Sequence, residues 1–169
     1  MPVIHQAHSA EDLATVRELL LEYLTWTAAQ TKEVFGEDVD VDAMLDGSMS
    51  KLDAYMPPEG QLLLAKVDGS AAGVVFLKKL REDSCEVKRM YVRPGYRGKR
   101  IGYTLLQQLI FNAESAGYKS ILLDSGRFMG QAHALYKSVG FKEIDRYPES
   151  EMGAGFEGHM VYMQLDLWV

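Results

Sequence analysis

The chain contains one cysteine, Cys85, among its 169 residues. A single thiol excludes a disulfide framework and a zinc site built from several cysteines, and it is typical of a reducing compartment. No apolar run approaches the roughly 18 residues that a membrane-spanning helix needs. The first residues, MPVIHQAHSAEDL, lack the basic and apolar segments of a signal peptide. We therefore expect a cytoplasmic protein that does not cross a membrane.

Prolines are few, and internal repeats are absent. The five prolines lie where periodic segments break, and no repeat with a period of about 20–50 residues occurs. Hydrophobic residues make up 47% of the chain and charged residues 25%, which are ordinary values for a globular protein. The length suits one compact domain with a substantial core and is short for two. We therefore interpret residues 1–169 as a single domain.

Positive charge is scarce in most of the chain and concentrated in one segment. The formal net charge is -6, and residues 1–60 contain 12 acids but only three bases. This balance disfavours a general nucleic-acid-binding protein. The basic segment, residues 88–100, contains six bases and no acid: Lys88, Arg89, Arg93, Arg97, Lys99 and Arg100. Nucleic-acid binding through this segment is an alternative, although the acidic remainder would repel a phosphate backbone.

Apolar periodicity and turn residues predict helices and strands in the order β-α-α-β-β-β-α-β-α-β-β. Ser9 marks the start of a helix that continues to about residue 29, and a shorter helix is expected within 41–55. A strand at 85–92 leads through a Pro-Gly loop into an amphipathic helix that begins at Ile101. Because strands lie on both sides of the helices with a meander between them, the order favours a mixed α/β sheet over a doubly wound parallel sheet.

The segment RGKRIG, residues 97–102, has the features of an anion-binding site. The first N–H groups of a helix lack partners within the helix, and the helix dipole makes this end positive. A phosphate group can accept several of these hydrogen bonds at once. Gly98 and Gly102 permit a close approach of the backbone, and the three basic residues of the segment add charge-assisted hydrogen bonds. The spacing does not fit a P-loop or a dinucleotide GxGxxG motif. A solvated basic turn in front of a core helix is the other interpretation.

Two motifs carry a resemblance to a known family. The stretch YVRPGYRGKRIG resembles the acyl-CoA signature Q/R-x-x-G-x-G/A of the GNAT superfamily, the Gcn5-related N-acetyltransferases. Arg97 matches its first position and Gly102 its last, while Arg100 stands where a small residue is usual. The stretch AHALYKSVGF, residues 132–141, is similar to the family segment A-x-x-L-Y-x-x-x-G-F, and Met129 stands where the family often has asparagine.

The resemblance implies a fold and a place for acetyl-CoA. The GNAT fold is a mixed, mostly antiparallel sheet of about six to seven strands with about four helices. Acetyl-CoA lies in a V-shaped split between two central parallel strands, which would be Cys85–Val92 and Lys119–Asp124 here. The implied binding residues for the pantetheine, the pyrophosphate and the thioester are Met90, Tyr91, Val92, Arg97, Gly98, Lys99, Arg100, Ile101, Gly102 and Tyr136.

Acetyl transfer to an amine requires a base for the ammonium group, donors for the oxyanion and an acid for the thiolate. Glu86 is our candidate base, because it is the only acid between Asp83 and Glu114. The resemblance implies the same role, often exercised through water. The alternative is that Glu86 pairs with Lys88 or Arg89 on the sheet surface.

Tyr136 matches the motif tyrosine, which in the family lies beside the thioester sulfur and can protonate the thiolate. The alternative is core packing, because Tyr136 lies on the apolar stripe of its helix. By the same analogy, a backbone N–H at Met90 or Tyr91 is the expected oxyanion donor.

Two other kinds of site are not favoured. Cys85 next to Glu86 suggests a covalent acyl-cysteine, but a lone cysteine in a strand is more often a small core residue. The four histidines show no ligand spacing, so we expect no metal site. One of them, His133, lies off the apolar stripe of its helix and is expected on the surface.

The acceptor side is defined only by charge. Acids at 33–42 and at 149–157 border the expected amine site and could attract a cationic acceptor. The glycines and Met152 of the late loop, residues 147–158, suggest a mobile lid. The sequence predicts an N-acetyltransferase that moves an acetyl group from acetyl-CoA to a primary amine of a small molecule or peptide in a ternary complex. An acyl-CoA-binding regulatory module without turnover is the alternative, and a homodimer is compatible with the family.

Overall fold

A computed structural model describes residues 1–151 and 157–167. The described residues form four α-helices and seven strands, in the order predicted from the sequence. The helices are α1 (Ala10–Phe35), α2 (Val41–Met49), α3 (Ile101–Ser115) and α4 (Gly130–Ser138). The strands are β1 (Val3–Gln6), β2 (Gln61–Val67), β3 (Ser70–Arg81), β4 (Ser84–Val92), β5 (Ser120–Gly126), β6 (Lys142–Ile144) and β7 (Met160–Asp166).

The seven strands form one sheet with the order β1-β2-β3-β4-β5-β7-β6. The pair β4–β5 is parallel, and each of the other neighbouring pairs in the described chain is antiparallel. The mixed, mostly antiparallel sheet expected from the sequence is therefore confirmed. The crossover helix between the two parallel strands is α3, whose N-terminus follows the end of β4.

Helices cover both faces of the sheet. Leu19, Leu20 and Leu24 of α1 pack with the β2 and β3 side chains of one face. On the other face, α3 and α4 pack in a second core that includes Leu105 and Tyr136. Alternation along β4 sends Val87 into this second core, so its neighbours at 86 and 88 point to the α1 face.

The first two helices end differently from the prediction. Helix α1 continues to Phe35, about one and a half turns beyond residue 29, and stops at Gly36, which adopts a left-handed φ of 72°. The amphipathic stripe fades before residue 30, but polar helix formers continue until the glycine. The helix expected within 41–55 is divided into α2 and a short 3-10 helix at Leu52–Tyr55.

The parallel pairing of β4 with β5 is short. It joins only Ser84 to Glu86 with Ser120 to Leu122. A bulge then places Arg89 and Met90 of β4 opposite Val75 of β3, because the register shifts between Val74 and Phe76. A bulge increases local twist and bends its strand. Strand β4 therefore turns away from β5, and a split opens between the two strands.

No helix in the described ranges is long and apolar enough to span a membrane.

The start of α1 offers a test of local stability. The Ser9 hydroxyl accepts a hydrogen bond from the Asp12 N–H at 3.0 Å. We expect Ser9→Ala to lower the free energy of unfolding by about 1 kcal/mol, because a helix N–H loses its cap. Thr15→Ala on the same helix deletes a hydroxyl that does not cap the helix end and should change stability by less than about 0.5 kcal/mol. Urea denaturation measures both variants, and equal losses would contradict the capping role.

Candidate active site

A cleft of about 770 Å³ lies where β4 and β5 separate. Its walls come from the end of β4, the N-terminal part of α3, the length of α4 and one face of α1. Most of the binding residues predicted from the sequence line it: Met90, Tyr91, Val92, Arg97, Gly98, Arg100, Ile101 and Gly102. Lys99, Glu86 and Tyr136 are not among the lining residues. The structure therefore brings the cofactor segment together at one opening and places the two proposed catalytic side chains behind its walls.

The N-terminus of α3 is open to a ligand. No side chain within residues 1–151 and 157–167 caps it, whereas Ser9 caps α1 and Asp40 caps α2. The residue before α3, Arg100, has a left-handed φ of 60°, and Gly98 has a φ of 78°. The loop therefore leaves the first N–H groups of α3 at the cleft, where a pyrophosphate fits.

Gly102 sits where the cleft is narrow. A Cβ atom there would lie 3.0 Å from Met90 Cε and 3.2 Å from Leu135 Cδ2. These contacts are tighter than ordinary van der Waals separations, so the absent side chain widens the approach to the first turn of α3. The sequence expectation of close backbone approach at Gly102 agrees with this geometry.

The basic segment does not form one patch. Arg93 is held by α1, with Nη2 at 2.8 Å from Glu18 and 2.7 Å from Glu22. Lys88 is buried on the α1 face. Arg89 lies in the bulge of β4. The other three bases lie near the cleft mouth, where each guanidinium or ammonium group lies over a tyrosine ring: Arg97 over Tyr91, Lys99 over Tyr96 and Arg100 over Tyr103.

Glu86 is fully buried on the α1 face of the sheet. The Tyr147 hydroxyl donates a 2.6 Å hydrogen bond to Glu86 Oε2, and Lys88 Nζ lies 3.8 Å from Oε1. Burial raises the pKa of Glu86, and the positive charge of Lys88 and the hydrogen bond from Tyr147 oppose this increase. The alternative pairing of Glu86 with Lys88 is therefore present, but the two side chains lie next to each other inside the protein and not on the sheet surface.

Further polar side chains complete this buried cluster. Lys88 Nζ lies 3.4 Å from Asp124 Oδ1 at the end of β5, and the Ser150 hydroxyl donates to Asp124 Oδ2 at 2.6 Å. Glu151 lies 3.7 Å from the same ammonium group. Sequence reasoning did not single out Asp124 or Tyr147. The available signal was the spacing of Glu86 and Lys88, since two charges two residues apart in a strand share one face.

Tyr136 lies in the core between α4 and the sheet. It is 5% exposed, and its ring packs against Phe141 with centroids 5.5 Å apart. Burial raises the pKa of Tyr136, and the nearby Tyr23 phenol raises it further. Tyr23 of α1, in contrast, lines the cleft, and burial raises its pKa as well. The structure therefore adds a second phenol that sequence reasoning missed.

The prediction of a surface position for His133 is wrong. The side chain is buried under α4, and its Nε2 atom lies 3.0 Å from the Ser125 hydroxyl of β5. Burial lowers the pKa of His133, so the imidazole is neutral near pH 7. The helix packs against β5 over a wider arc than its apolar stripe indicated.

Cys85 has no exposed surface, and burial raises its thiol pKa to about 12. The thiol is therefore protonated at neutral pH, which agrees with the core interpretation rather than a nucleophile. Among residues 1–151 and 157–167, no group of three or more His, Cys, Asp or Glu side chains could hold a metal ion.

The late loop is described only at its two ends. Glu149 pairs with Arg81, with Nη2 to Oε1 at 2.8 Å, and Glu151 pairs with Lys78 at 3.4 Å. These two acids are therefore already neutralised by bases of β3. The predicted lid residues Met152, Gly153 and Gly155 lie outside the described residues.

These features define a class of protein. A parallel strand pair that separates into a cleft, next to an uncapped helix N-terminus, can bind an extended molecule that carries a pyrophosphate. Buried acids on the opposite face of the sheet provide groups for proton transfer. Such an arrangement suits a transferase that uses an acyl carrier with a nucleotide end.

A model of the acetyltransferase (GNAT) family matches residues 16–141, and the chain belongs to this family. An N-acetyltransferase of Schizosaccharomyces pombe is 33% identical over 159 residues, which cover 93% of this chain and 90% of that protein. The protein is therefore an acyltransferase, and its co-substrate is acetyl-CoA, as predicted.

Solved structures agree on the fold. A GNAT-family acetyltransferase from Staphylococcus aureus Mu50 has a TM-score of 0.76 at 23% identity, covering 99% of this chain and 100% of that chain. The PaiA N-acetyltransferase from Thermoplasma acidophilum, in complex with coenzyme A, has a TM-score of 0.75 at 23% identity, covering 99% of both chains.

The basic residues near the cleft mouth should contribute to the affinity for acetyl-CoA. Replacing Arg97, Lys99 and Arg100 together by glutamine should raise the Kd for acetyl-CoA about tenfold at low salt, because three partly exposed charges are lost while the helix N–H groups remain. Isothermal titration calorimetry at two salt concentrations measures this, with Lys142→Gln as a control on the exposed strand β6. An unchanged Kd would contradict the role of the charges, and complete loss of binding would contradict the role of the backbone.

Proposed function

We propose that this protein transfers the acetyl group of acetyl-CoA to a primary amine of a small molecule or peptide, by direct attack in a ternary complex within one catalytic domain. One observation carries the proposal. The split between β4 and β5 has the N-terminus of α3 on one face of the sheet and a buried carboxylate cluster on the other. The two substrates can therefore approach the split from opposite faces.

The α3 face supplies the residues that would hold acetyl-CoA. Backbone groups of Met90 to Val92 lie past the last β4–β5 pair, so the β5 side of this stretch is free to bind the pantetheine. The N–H groups at the start of α3 would bind the pyrophosphate. The acetyl thioester of acetyl-CoA supplies the activated acyl group. The coenzyme A complex of the PaiA relative supports this assignment.

Glu86 is the proposed base. Tyr147 donates to Oε2, while Oε1 is buried and makes no hydrogen bond within the described residues. Oε1 is therefore the atom that accepts the proton of the acceptor ammonium group, directly or through water. Burial raises the pKa of Glu86, which brings it closer to neutrality and makes the carboxylate a stronger base.

Tyr136 is the proposed acid for the leaving thiolate, by analogy with the family motif. Tyr23 is a competing candidate, because it lines the cleft and Tyr136 does not. Burial raises the pKa of both phenols, so each hydroxyl is protonated and can donate at neutral pH.

Acetyl transfer to a panel of amines tests the proposed function. The panel should contain polyamines, amino acids, aminoglycosides and peptides with free N-termini, and released coenzyme A is measured with a correction for Cys85. We expect Glu86→Gln to lower kcat by about 100-fold or more, because the base is lost.

Comparing Tyr136→Phe with Tyr23→Phe identifies the acid, since only the loss of the hydroxyl that protonates the thiolate should lower kcat strongly. Binding of acetyl-CoA without turnover on any amine would instead identify a regulatory module.

The hydrogen bond from Tyr147 predicts a shift in pH dependence. Activity should fall at low pH as Glu86 becomes protonated. The Tyr147 hydroxyl stabilises the ionised carboxylate, so Tyr147→Phe should raise the pKa of Glu86 and move the acidic limb of kcat/KM to higher pH by about one unit. Tyr118→Phe is the control, because its hydroxyl donates to the distant Glu59 carbonyl. An acidic limb at the same pH in both variants would exclude Glu86 as the group that titrates.

A further inference from the structure

Arg89 occupies the bulge that bends β4. Its φ is 53°, a left-handed value in a residue other than glycine. This conformation costs about 1–2 kcal/mol relative to ordinary strand backbone. Residues kept in such conformations are concentrated at ligand-binding and catalytic sites, where the surrounding structure holds them. The left-handed residue therefore lies at the bulge that opens the split between β4 and β5.

Arg89 is half-buried, and one of its donors has no partner among the described residues. Its Nε atom is inaccessible to solvent and makes no hydrogen bond within residues 1–151 and 157–167. No carboxylate in these ranges lies within 4.0 Å of its nitrogen atoms. An inaccessible donor without an acceptor costs free energy, because the water that it loses is not replaced.

Two other arginines show what this donor normally does. Arg93 uses Nε and Nη2 together on the carboxylate of Glu22, at 3.1 and 2.7 Å. Arg81 uses the same pair of atoms on Glu149. The Nε–Nη2 edge of a guanidinium matches the two oxygens of a carboxylate. In Arg89 this edge is the part that has no partner among the described residues.

The charge of Arg89 acts on the acceptor face of the sheet. It lowers the pKa values of Tyr23 on α1 and Tyr55 beyond α2, although burial raises both more strongly. It also lowers the pKa of Glu151. Helix α1 and Tyr55 both belong to the core on the face that contains Glu86. The anion-binding terminus of α3 lies on the opposite face, so the phosphates of acetyl-CoA have their own site.

The other bases of this face already have carboxylate partners. Lys88 lies 3.4 Å from Asp124 and 3.8 Å from Glu86, and Lys78 lies 3.4 Å from Glu151. Within the described chain, Arg89 is the cation of this cluster that a ligand can neutralise without breaking an existing ion pair. Arg89 lies three positions after Glu86 along β4, so one small ligand can lie beside both side chains.

We propose that Arg89 binds a carboxylate of the acceptor, and that the acceptors are therefore amino acids or other small amines that carry a carboxylate. The inference rests on the proposed function, whose acceptor it specifies. The ammonium group of such a molecule lies toward Glu86 and Asp124, and its carboxylate lies on the Nε–Nη2 edge of Arg89. A site with both charges orients the amine for attack and disfavours acceptors with several positive charges.

Matched acceptors test the site. Each of several amino acids is compared with its amide, which keeps the amine and removes the negative charge. We expect wild-type kcat/KM to favour the acid over the amide by about 30-fold or more. Arg89→Gln should lower kcat/KM for the acid about 100-fold, mainly through KM, and for the amide less than about threefold. For Arg89→Lys, kcat/KM for the acid should lie between the values for the wild type and Arg89→Gln, because lysine keeps the charge and loses the paired donors.

Binding is measured separately from turnover. Calorimetric titration of the amino acid into protein saturated with coenzyme A should give binding in the wild type and none in Arg89→Gln. The Kd for acetyl-CoA should stay the same in both proteins, which also shows that the variant is folded. Arg17→Gln is the control, because Arg17 lies on exposed α1 surface with Nη2 at 3.6 Å from Asp46.

The outcomes separate the two proposals. The inference is overturned, and the proposed function stands, if wild-type protein has the same kcat/KM for the amide and the acid. The same follows if Arg89→Gln lowers kcat/KM equally for the two acceptors. Acetyl transfer only to amines that lack a carboxylate would also overturn the inference and leave the proposed function standing. If no amine is acetylated, the proposed function fails, and the titration decides the role of Arg89. Amino acid binding that depends on Arg89 supports the site, and absence of binding overturns it.

Discussion

The structure depends on one interruption of backbone hydrogen bonding. Strands β4 and β5 pair in parallel only as far as Glu86 and Leu122. Beyond this point the bulge at Arg89 turns β4 away, and no strand of the described chain pairs with the backbone groups that face the split. Unpaired N–H and C=O groups need other partners, so the sheet itself leaves backbone groups at the split with which a ligand can pair. The following helix begins at its mouth, which places the positive end of a dipole beside the opening.

The same interruption divides the chemistry between the two faces of the sheet. Side chains that alternate along β4 reach the α3 core at Val87 and the polar cluster at Glu86 and Lys88. The α3 face is apolar inside and basic at its rim, which suits the co-substrate. The α1 face contains buried carboxylates whose charge is balanced by Lys78 and Lys88. Burying these groups together costs solvation free energy, but it shifts the pKa of Glu86 toward the range in which it can exchange protons.

The basic segment shows how the fold redistributes charge that is contiguous in the chain. Its six bases reach four different places. Arg93 ties β4 to α1, Lys88 neutralises buried acids, and the charge of Arg89 acts on Tyr23 and Tyr55 on the α1 face of the sheet. The last three bases lie near the cleft mouth. A linear count of charge therefore identified the right segment, but it overestimated the charge that is available to the phosphates of acetyl-CoA.

Local patterns in the sequence determined the order of elements, the helix start after the basic loop, the lining of the cleft and the family. These features depend on periodicity, glycines and neighbouring residues, which are visible in the chain. Only the tertiary structure decided that Glu86 meets Tyr147, 61 residues away, that His133 is buried and that Tyr23 lines the cleft. Only the tertiary structure decided that Arg89 Nε is buried without a hydrogen-bond partner among the described residues. One extra residue in a strand changes which face each later side chain takes, and no local pattern marks a bulge or the packing of distant elements.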